Sequence, residues 1–199
     1  MESDVDAQLM LKAAAGDKRA FATIFDRYQS SIVRFAFRFV ADHAKAEELA
    51  QEIFIKLYRS AASYRPSAKL KTYLLRIATN HCLNEVRRHE QRIFRPIISD
   101  DANGDEEREP TAPASDRPDE VVAGKQLESA VQRALEQMSD RERAAFVMCR
   151  FEGMPYREIA EVLSATEAAV KSLIHRATLV MAREIESLDA GTIPARRHG

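Results

Sequence analysis

The sequence has little of what marks a secreted, membrane-spanning or disulfide-bonded protein. Its 199 residues include no tryptophan, two cysteines and six glycines. No apolar run reaches the roughly 18 residues that a membrane span needs, and residues 1–6 are acidic where a secretory signal would be basic. Two cysteines, Cys82 and Cys149, are too few for a disulfide framework or a cysteine-rich zinc site. We therefore expect a soluble, cytoplasmic protein.

Signals of catalysis are equally scarce. The five histidines, at positions 43, 81, 89, 175 and 198, show no metal-ligand spacing. The chain has no glycine-rich phosphate loop and no Gly-x-Ser-x-Gly motif. Both cysteines lie among apolar neighbours, which favours core thiols over nucleophiles. The sequence predicts no catalytic residue, no metal site and no cofactor, and thus a protein that is not an enzyme.

Charge is present in quantity but is unevenly distributed. The 30 basic and 31 acidic residues almost cancel, yet residues 1–95 carry 17 basic against 11 acidic, and residues 96–125 carry 3 against 9. The acidic block also holds four of the seven prolines and offers almost nothing apolar between Ile98 and Val121. Such a segment cannot offset its ordering entropy. We predict a flexible acidic linker at 96–120 between domains at 1–95 and 121–190, with a tail at 191–199.

Both domains are predicted to be helical. Apolar residues recur at spacings of three and four, and no stretch alternates with a period of two. Asp17 and Asp42 are candidate N-caps, the pair Ser30 and Ser31 suggests a break, and Ser139 with Glu142 forms a capping-box pattern. The fold class is all-α, with helices expected at 4–15, 17–40, 42–60, 68–92, 119–138, 140–152, 156–163 and 167–188.

Residues 156–177 carry the most distinctive local pattern. A short amphipathic helix is followed by the three-residue turn Ser164, Ala165 and Thr166, and Thr166 can cap the next helix. This is the layout of a helix-turn-helix, whose second helix enters the major groove of DNA. The candidate DNA-binding residues are Thr166, Glu167, Ala168, Lys171, Ser172, His175 and Arg176. An ordinary helical hairpin with a solvated face has the same pattern and stays open.

A second pattern lies in residues 71–95, with six basic and two acidic side chains. One polar stripe of the expected helix interleaves arginine with asparagine and contains no acid, a combination suited to phosphates and base edges. The candidate DNA-binding residues are Tyr73, Arg76, Asn80, Asn84, Arg87 and Arg88. The preceding loop adds Ser63, Tyr64 and Arg65, an aromatic and a cation of the kind that hold an unstacked base. A basic helix with no DNA role is the alternative.

The helix at 44–59 is apolar on two sides. One apolar stripe is enough to pack this helix against its own domain. Phe54, Ile55 and Tyr58, however, lie on another side of the helix among acidic residues. A helix of this kind needs either two packing neighbours or a partner protein.

Taken together, these segments resemble an extracytoplasmic-function (ECF) sigma factor of bacterial RNA polymerase. The resemblance is carried, in order, by AKAEELAQEIFIKLYRS, LKTYLLRIATNHCLNEVRR and ERAAFVMCRFEGMPYREIAEVL followed by TEAAVKSLIHRA. It covers about residues 4–92 and 121–186. Three matches in the family's order, with a linker after the second, make the resemblance specific.

The resemblance implies a sigma factor that binds core RNA polymerase, melts promoters and directs transcription initiation. The first domain would bind the polymerase clamp through Glu48, Gln51, Glu52 and Ile55, and the minus-ten element through its fourth helix and preceding loop. The second domain would read the minus-thirty-five element. The linker would enter the polymerase channel, where its acids could mimic nucleic acid. The family also implies an anti-sigma factor as inhibitor and no direct insertion into a membrane.

The chain departs from the family pattern at three positions. Tyr73 stands where tryptophan is usual, which reduces the melting surface. Ser164 replaces the usual turn glycine, which demands a strained backbone or a different turn. Leu173 stands where many members have arginine, which removes an expected DNA contact.

Two other functions remain compatible with the residues alone. A stand-alone helix-turn-helix regulator would bind DNA without polymerase, and would have no need of the second apolar face at 44–59. A helical adaptor would bind no nucleic acid, and would have no need of the acid-free Arg and Asn stripe.

Overall fold

A computed structural model describes residues 5–66, 69–94 and 118–192. The described residues form eight α-helices and one 3-10 turn. The N-terminal half contains α1 (Val5–Ala14), α2 (Lys18–Val40), α3 (His43–Ser60), the turn Ala61–Ser63 and α4 (Leu70–Phe94). The C-terminal half contains α5 (Pro118–Gln137), α6 (Asp140–Arg150), α7 (Tyr156–Leu163) and α8 (Glu167–Thr192). No strand occurs in these ranges, so the predicted all-α class is confirmed.

Several helix starts are explained by capping residues that can be recognised in the sequence. The Asp17 carboxylate accepts hydrogen bonds from the backbone N–H groups of Arg19 and Ala20, at 2.9 and 3.1 Å, and starts α2. Asp42 accepts from the Lys45 N–H at 2.8 Å and starts α3. At α6, the Ser139 N–H donates to the Glu142 carboxylate at 3.1 Å. Each contact satisfies a donor at a helix end, and these caps are confirmed as predicted.

The predicted break at Ser30 and Ser31 is wrong, because α2 is continuous from Lys18 to Val40. Ile24 precedes the serine pair and Ile32 and Phe35 follow it, and all three are fully buried. One continuous helix buries all three on a single face, and this packing outweighs the weak helix propensity of two serines.

The two halves contact each other directly. Helix α4 packs against α7, and α2 packs against α5 and α6. A single apolar cluster extends from α1 to α8 through residues of both halves. Most of the predicted linker lies outside the described residues, except that its last three positions begin α5. The predicted domain bounds stay a prediction.

No helix in the described part of the chain combines the length and the apolar character that crossing a membrane requires.

Candidate nucleic-acid interface

The first turns of α8 present the predicted reading face to solvent. Val170, Ile174 and Ala177 are buried against the rest of the C-terminal half and fix the rotation of the helix. The seven candidate side chains all lie on the exposed side: Thr166, Glu167, Ala168, Lys171, Ser172, His175 and Arg176. The Thr166 hydroxyl oxygen accepts from the Ala169 N–H at 3.2 Å, so the predicted cap is present. The helix therefore projects its N-terminal turns, as a recognition helix does.

The turn between α7 and α8 has the strained conformation that its sequence suggested. Ser164 adopts the left-handed conformation, with φ 48° and ψ 53°, and its N–H closes the end of α7. The Arg141 guanidinium donates to the Leu163 carbonyl at 3.1 Å. A side chain from α6 thus donates to a carbonyl in the last turn of α7.

Leu173 lies on the buried side of α8. Its side chain is buried, and it faces the core beside Ile174. Leu173 therefore packs in the core of the C-terminal half and does not project into solvent.

Most side chains in the polar stripe of α4 are exposed to solvent. Arg76, Asn80, Asn84, Arg87 and Arg88 are exposed, whereas Tyr73 is half-buried. Leu74, Leu75, Ala78 and Cys82 are buried on the opposite side and anchor the helix. The amphipathic pattern predicted from the sequence is therefore present.

The loop before α4 places its three candidates differently. Ser63 and Arg65 are exposed, and the Arg65 guanidinium donates to the Tyr64 carbonyl at 3.0 Å. Tyr64 itself is 2% exposed, and its ring packs edge-on against Tyr73 at 5.2 Å between centroids. Tyr64 therefore supports the loop from beneath in this arrangement. Its direct contact with a base stays a prediction.

The candidate polymerase-binding residues share one exposed side of α3. Glu48, Gln51, Glu52 and Ile55 all face solvent, and Ile55 is 49% exposed. Beside them lies an apolar groove between α2 and α3, lined by Lys18, Phe21, Phe25, Gln51, Phe54, Ile55, Tyr58 and Arg59.

Aromatic packing explains part of the second apolar side of α3. Phe54 packs edge-on against Phe25 at 4.8 Å, and Tyr58 packs against Phe21 at 4.9 Å. Phe54 is buried, but Tyr58 remains 47% exposed. Intramolecular packing therefore accounts for Phe54 and leaves Ile55 and much of Tyr58 uncovered.

A buried histidine lies beneath the acidic part of this face. Lys56 Nζ lies 2.5 Å from His81 Nδ1, and Glu52 Oε2 lies 2.5 Å from His81 Nε2. A neutral imidazole fits both contacts, because Nδ1 accepts from the ammonium and Nε2–H donates to the carboxylate. Burial lowers the pKa of His81, the Lys56 charge lowers it further, and Glu52 opposes both. His81 therefore orients Glu52 and Lys56 from α4.

Residues that the sequence did not single out join the two halves through α4. Lys71 Nζ contacts the carbonyl and the carboxylate of Glu152, at 2.9 and 3.1 Å. The Thr72 hydroxyl donates to the Glu158 carboxylate at 2.6 Å. The segregation of charge along the chain does not indicate these contacts, because the acidic block lies at residues 96–125 and not around Glu152 and Glu158.

Two predicted DNA-binding arginines take part in the same contact. Arg87 Nε donates to the Asp140 carboxylate at 2.9 Å, and Arg76 lies 3.4 Å from the Glu161 carbonyl. Both therefore face the C-terminal half as well as solvent.

The two thiols have core character. Cys82 is fully buried, and burial raises its pKa to about 12. Cys149 is half-buried, and burial raises its pKa as well. Neither side chain is activated as a nucleophile, since the thiolate is disfavoured at both positions.

Family models identify both halves. Residues 24–92 match Sigma-70 region 2, and residues 128–179 match Sigma-70 region 4. A helical chain with these two regions in this order defines a sigma-type transcription initiation factor.

Curated relatives show which group of sigma factors the chain resembles. The chain is 30% identical to the RNA polymerase sigma-H factor of Pseudomonas aeruginosa, over 94% of the chain and 97% of that protein. It is 30% identical to the ECF sigma factor SigM of Mycobacterium tuberculosis, over 94% and 87%, and 27% identical to SigW of Bacillus subtilis, over 87% and 92%. The chain belongs to the ECF family of RNA polymerase sigma factors. This membership favours a sigma factor over a stand-alone regulator.

Solved structures share the fold. CnrH, in complex with the cytosolic domain of CnrY, aligns with a TM-score of 0.69 at 21% identity, over 92% of this chain and 99% of that one. The sigma factor RpoE of Bartonella quintana, in complex with the anti-sigma factor NepR, aligns with a TM-score of 0.62 at 19% identity, over 83% and 96%.

Proposed function

We propose that this ECF sigma factor binds the clamp of core RNA polymerase through the exposed side of α3 and contacts promoter DNA through α4 and α8. In this proposal Glu48, Gln51, Glu52 and Ile55 bind polymerase. The loop before α4 and its polar stripe bind the minus-ten element. The N-terminal turns of α8 read the minus-thirty-five element. The protein works in the cytoplasm and carries no catalytic centre of its own.

One observation carries the polymerase contact. Ile55 and Tyr58 expose about half of their side chains next to a groove with aromatic walls and a polar rim formed by Lys18, Gln51 and Arg59. Apolar cores with polar rims are typical of protein–protein interfaces. A regulator that acts on DNA alone would gain nothing from this surface.

Promoter contact is supported by a different feature, the uncovered face of α8. Lys171 and Arg176 can reach phosphates, while Ala168 and Ser172 permit a close approach to base edges. The two halves together would contact two promoter elements, so that weak individual contacts add through their linkage.

An anti-sigma factor is part of the proposal. Two solved structures with this fold are complexes, one with the cytosolic domain of CnrY and one with the anti-sigma factor NepR. We propose that a partner of this kind covers the polymerase-binding groove of α2 and α3 in this chain.

The test mixes the purified chain with sigma-free core polymerase and separates the complex by size exclusion. Ile55→Lys should weaken the apparent affinity at least tenfold, because it places a charge in the apolar centre of the contact. Leu11→Lys is the matched control: Leu11 lies 38% exposed on α1, outside both family-model matches. A folded wild-type chain that elutes apart from core polymerase would overturn the proposal. If the two substitutions had equal effects, the polymerase contact would not lie on the exposed side of α3.

A further inference from the structure

A cavity of about 600 Å³ lies where the end of α2 and the start of α3 meet α4, α5 and α6. This volume is within the range of small-molecule sites, roughly 300–1,000 Å³. The described residues that line the cavity include none of those proposed to bind polymerase or DNA. The cavity is therefore a feature that the proposed function does not use.

A buried guanidinium lines this cavity. Arg143 is 7% exposed, Nη1 donates to the Phe39 carbonyl at 3.1 Å, and Nη2 donates to the Glu136 carbonyl at 3.3 Å. The third nitrogen, Nε, is buried and has no hydrogen-bond partner in the described part of the chain. A buried donor without a partner is unfavourable, so an oxygen atom of a ligand would supply the missing contact.

Two carboxylates on the rim of the cavity are also without a described partner. Asp42 caps α3, and Lys45 Nζ lies 3.2 Å from the Glu85 carboxylate, so these three groups are already satisfied. The Glu90 and Glu136 side chains are exposed, and neither carboxylate contacts another described residue. The two acids would attract a cationic group and repel a free phosphate or dicarboxylate.

The anionic and cationic subsites lie close to each other. Burial lowers the pKa of Arg143, whereas the charges of Asp140, Glu136 and Glu90 raise it. Glu136 and Glu90 are therefore near enough to act on the guanidinium. A single small ligand could contact both subsites.

Apolar side chains complete the walls. Phe39 is 4% exposed, and Val40 and Val86 are half-buried. Apolar walls with a few placed polar groups are typical of small-molecule sites. The cavity thus offers one hydrogen-bond donor, two carboxylates and an apolar surface.

We propose that this cavity is a binding site for a small zwitterion of the amino-acid class with an apolar side chain. The ligand carboxylate accepts from Arg143 Nε–H, and the ligand ammonium is held by Glu90 and Glu136. The apolar side chain packs against Phe39 and Val86. The ligand contacts both halves of the chain, and its binding requires neither polymerase nor DNA.

Three probes of similar size separate the parts of this recognition. L-Phenylalanine carries both charges and an apolar ring, hydrocinnamate lacks the ammonium, and phenethylamine lacks the carboxylate. Phenylalanine should bind the full chain with an apparent Kd of about 1 mM or lower. Its affinity should be about tenfold higher than that of either other probe, because each of them leaves one subsite unpaired.

Binding is followed by heteronuclear NMR of the isotope-labelled chain, through the Nε–H signals of its arginines. Arg143→Lys assigns the signal of Arg143, and that of Arg141, which is exposed on the same helix, is the internal control. Phenylalanine and hydrocinnamate should shift the Arg143 signal, whereas phenethylamine should not. The Arg141 signal should stay unchanged with all three probes.

Glu90→Gln with Glu136→Gln tests the cationic subsite. The matched control is Glu128→Gln with Glu186→Gln, which changes the net charge equally at exposed positions of α5 and α8 outside the cavity. The rim variant should bind phenylalanine about five- to tenfold more weakly than the control variant. Hydrocinnamate should bind the rim variant at least as tightly as the control, because the repulsion by the two acids is gone. Circular dichroism establishes that each variant is folded.

The wild-type titrations decide the proposal even if a variant fails to fold. Absence of a saturable shift of the Arg143 signal up to roughly 10 mM phenylalanine would overturn it, and would assign the free Nε–H to water. Equal affinities for the three probes would also contradict it, since they would reflect burial of the ring alone. Equal affinities of the two double variants for phenylalanine would remove Glu90 and Glu136 from the site. Core polymerase takes no part in these titrations, so their failure would leave the proposed function unaffected.

Discussion

At the scale of single residues, burial decides which side chains act on partners and which support them. Tyr64 and His81 both belong to segments predicted to face nucleic acid, yet they are 2% and 5% exposed. Tyr64 packs under its loop against Tyr73, and His81 joins α4 to Glu52 and Lys56 on α3. Sequence pattern identifies their helices and loops correctly, but not this inward orientation. An amphipathic ring suits either environment, so residue type alone could not settle it.

His81 should make the stability of the chain depend on pH. Burial lowers its pKa in the folded state, so around pH 6.5 the folded chain binds fewer protons than the unfolded chain. Stability is therefore lost as the pH falls through the unfolded pKa towards the lower folded one. The facing charges are Lys56 and Glu52 on α3 and Glu85 on α4, and the two acids reduce the shift without reversing it.

Urea unfolding at pH 7.5 and at pH 5.5 checks this expectation. The wild type should lose stability at the lower pH, and His81→Gln should lose less. His89→Gln serves as the control, because His89 is exposed on the same helix. If His81→Gln keeps the full wild-type difference, His81 is not the titrating group.

At the scale of helices and turns, capping and packing rules account for most of the fold. Every predicted helix is present, and Asp17, Asp42 and Thr166 cap the helices that they were expected to cap. The one wrong break, at Ser30 and Ser31, shows that buried Ile and Phe side chains outweigh local propensity. At Ser164 the turn adopts the left-handed conformation although the residue is not a glycine.

Replacing Ser164 by glycine should stabilise the helix-turn-helix. The left-handed conformation costs a residue with a side chain about 1–2 kcal/mol. Glycine removes that cost but adds roughly 0.4–1 kcal/mol of unfolded-state entropy. The net gain should be about 0.5–1 kcal/mol in the free energy of unfolding, measured by urea denaturation. Ser164→Ala keeps the Cβ atom and should give no gain. A stabilised alanine variant would show that strain is not the cause.

At the scale of the whole molecule, the sequence indicated two helical halves but not their contact. Glu152, Glu158 and Asp140 lie on three different segments, and nothing in their spacing ties them to Lys71, Thr72 and Arg87, at least 53 residues away. Only the fold brings them together. The same holds for Arg143, a basic residue in a helix that is otherwise apolar on its buried side.

Arg143 should contribute to the stability of both halves at once. Its side chain is 7% exposed, Nη1 donates to the Phe39 carbonyl at 3.1 Å, and Nη2 donates to the Glu136 carbonyl at 3.3 Å. The first contact lies at the C-terminal end of α2, where carbonyls lack partners within the helix. Burial lowers the pKa of the guanidinium, although nearby acids, Asp140 first, raise it.

Arg143→Ala should therefore lower the free energy of unfolding by about 2 kcal/mol, because it leaves carbonyls at two helix ends without a donor. Urea denaturation of the full chain measures the loss, and Arg141→Ala is the control. Arg141 also donates to one carbonyl, that of Leu163, but it lies exposed, where water can replace it. If both variants unfold at the wild-type urea concentration, Arg143 does not join the halves. A loss confined to Arg143→Ala would show that the end of α2 depends on a side chain from the other half.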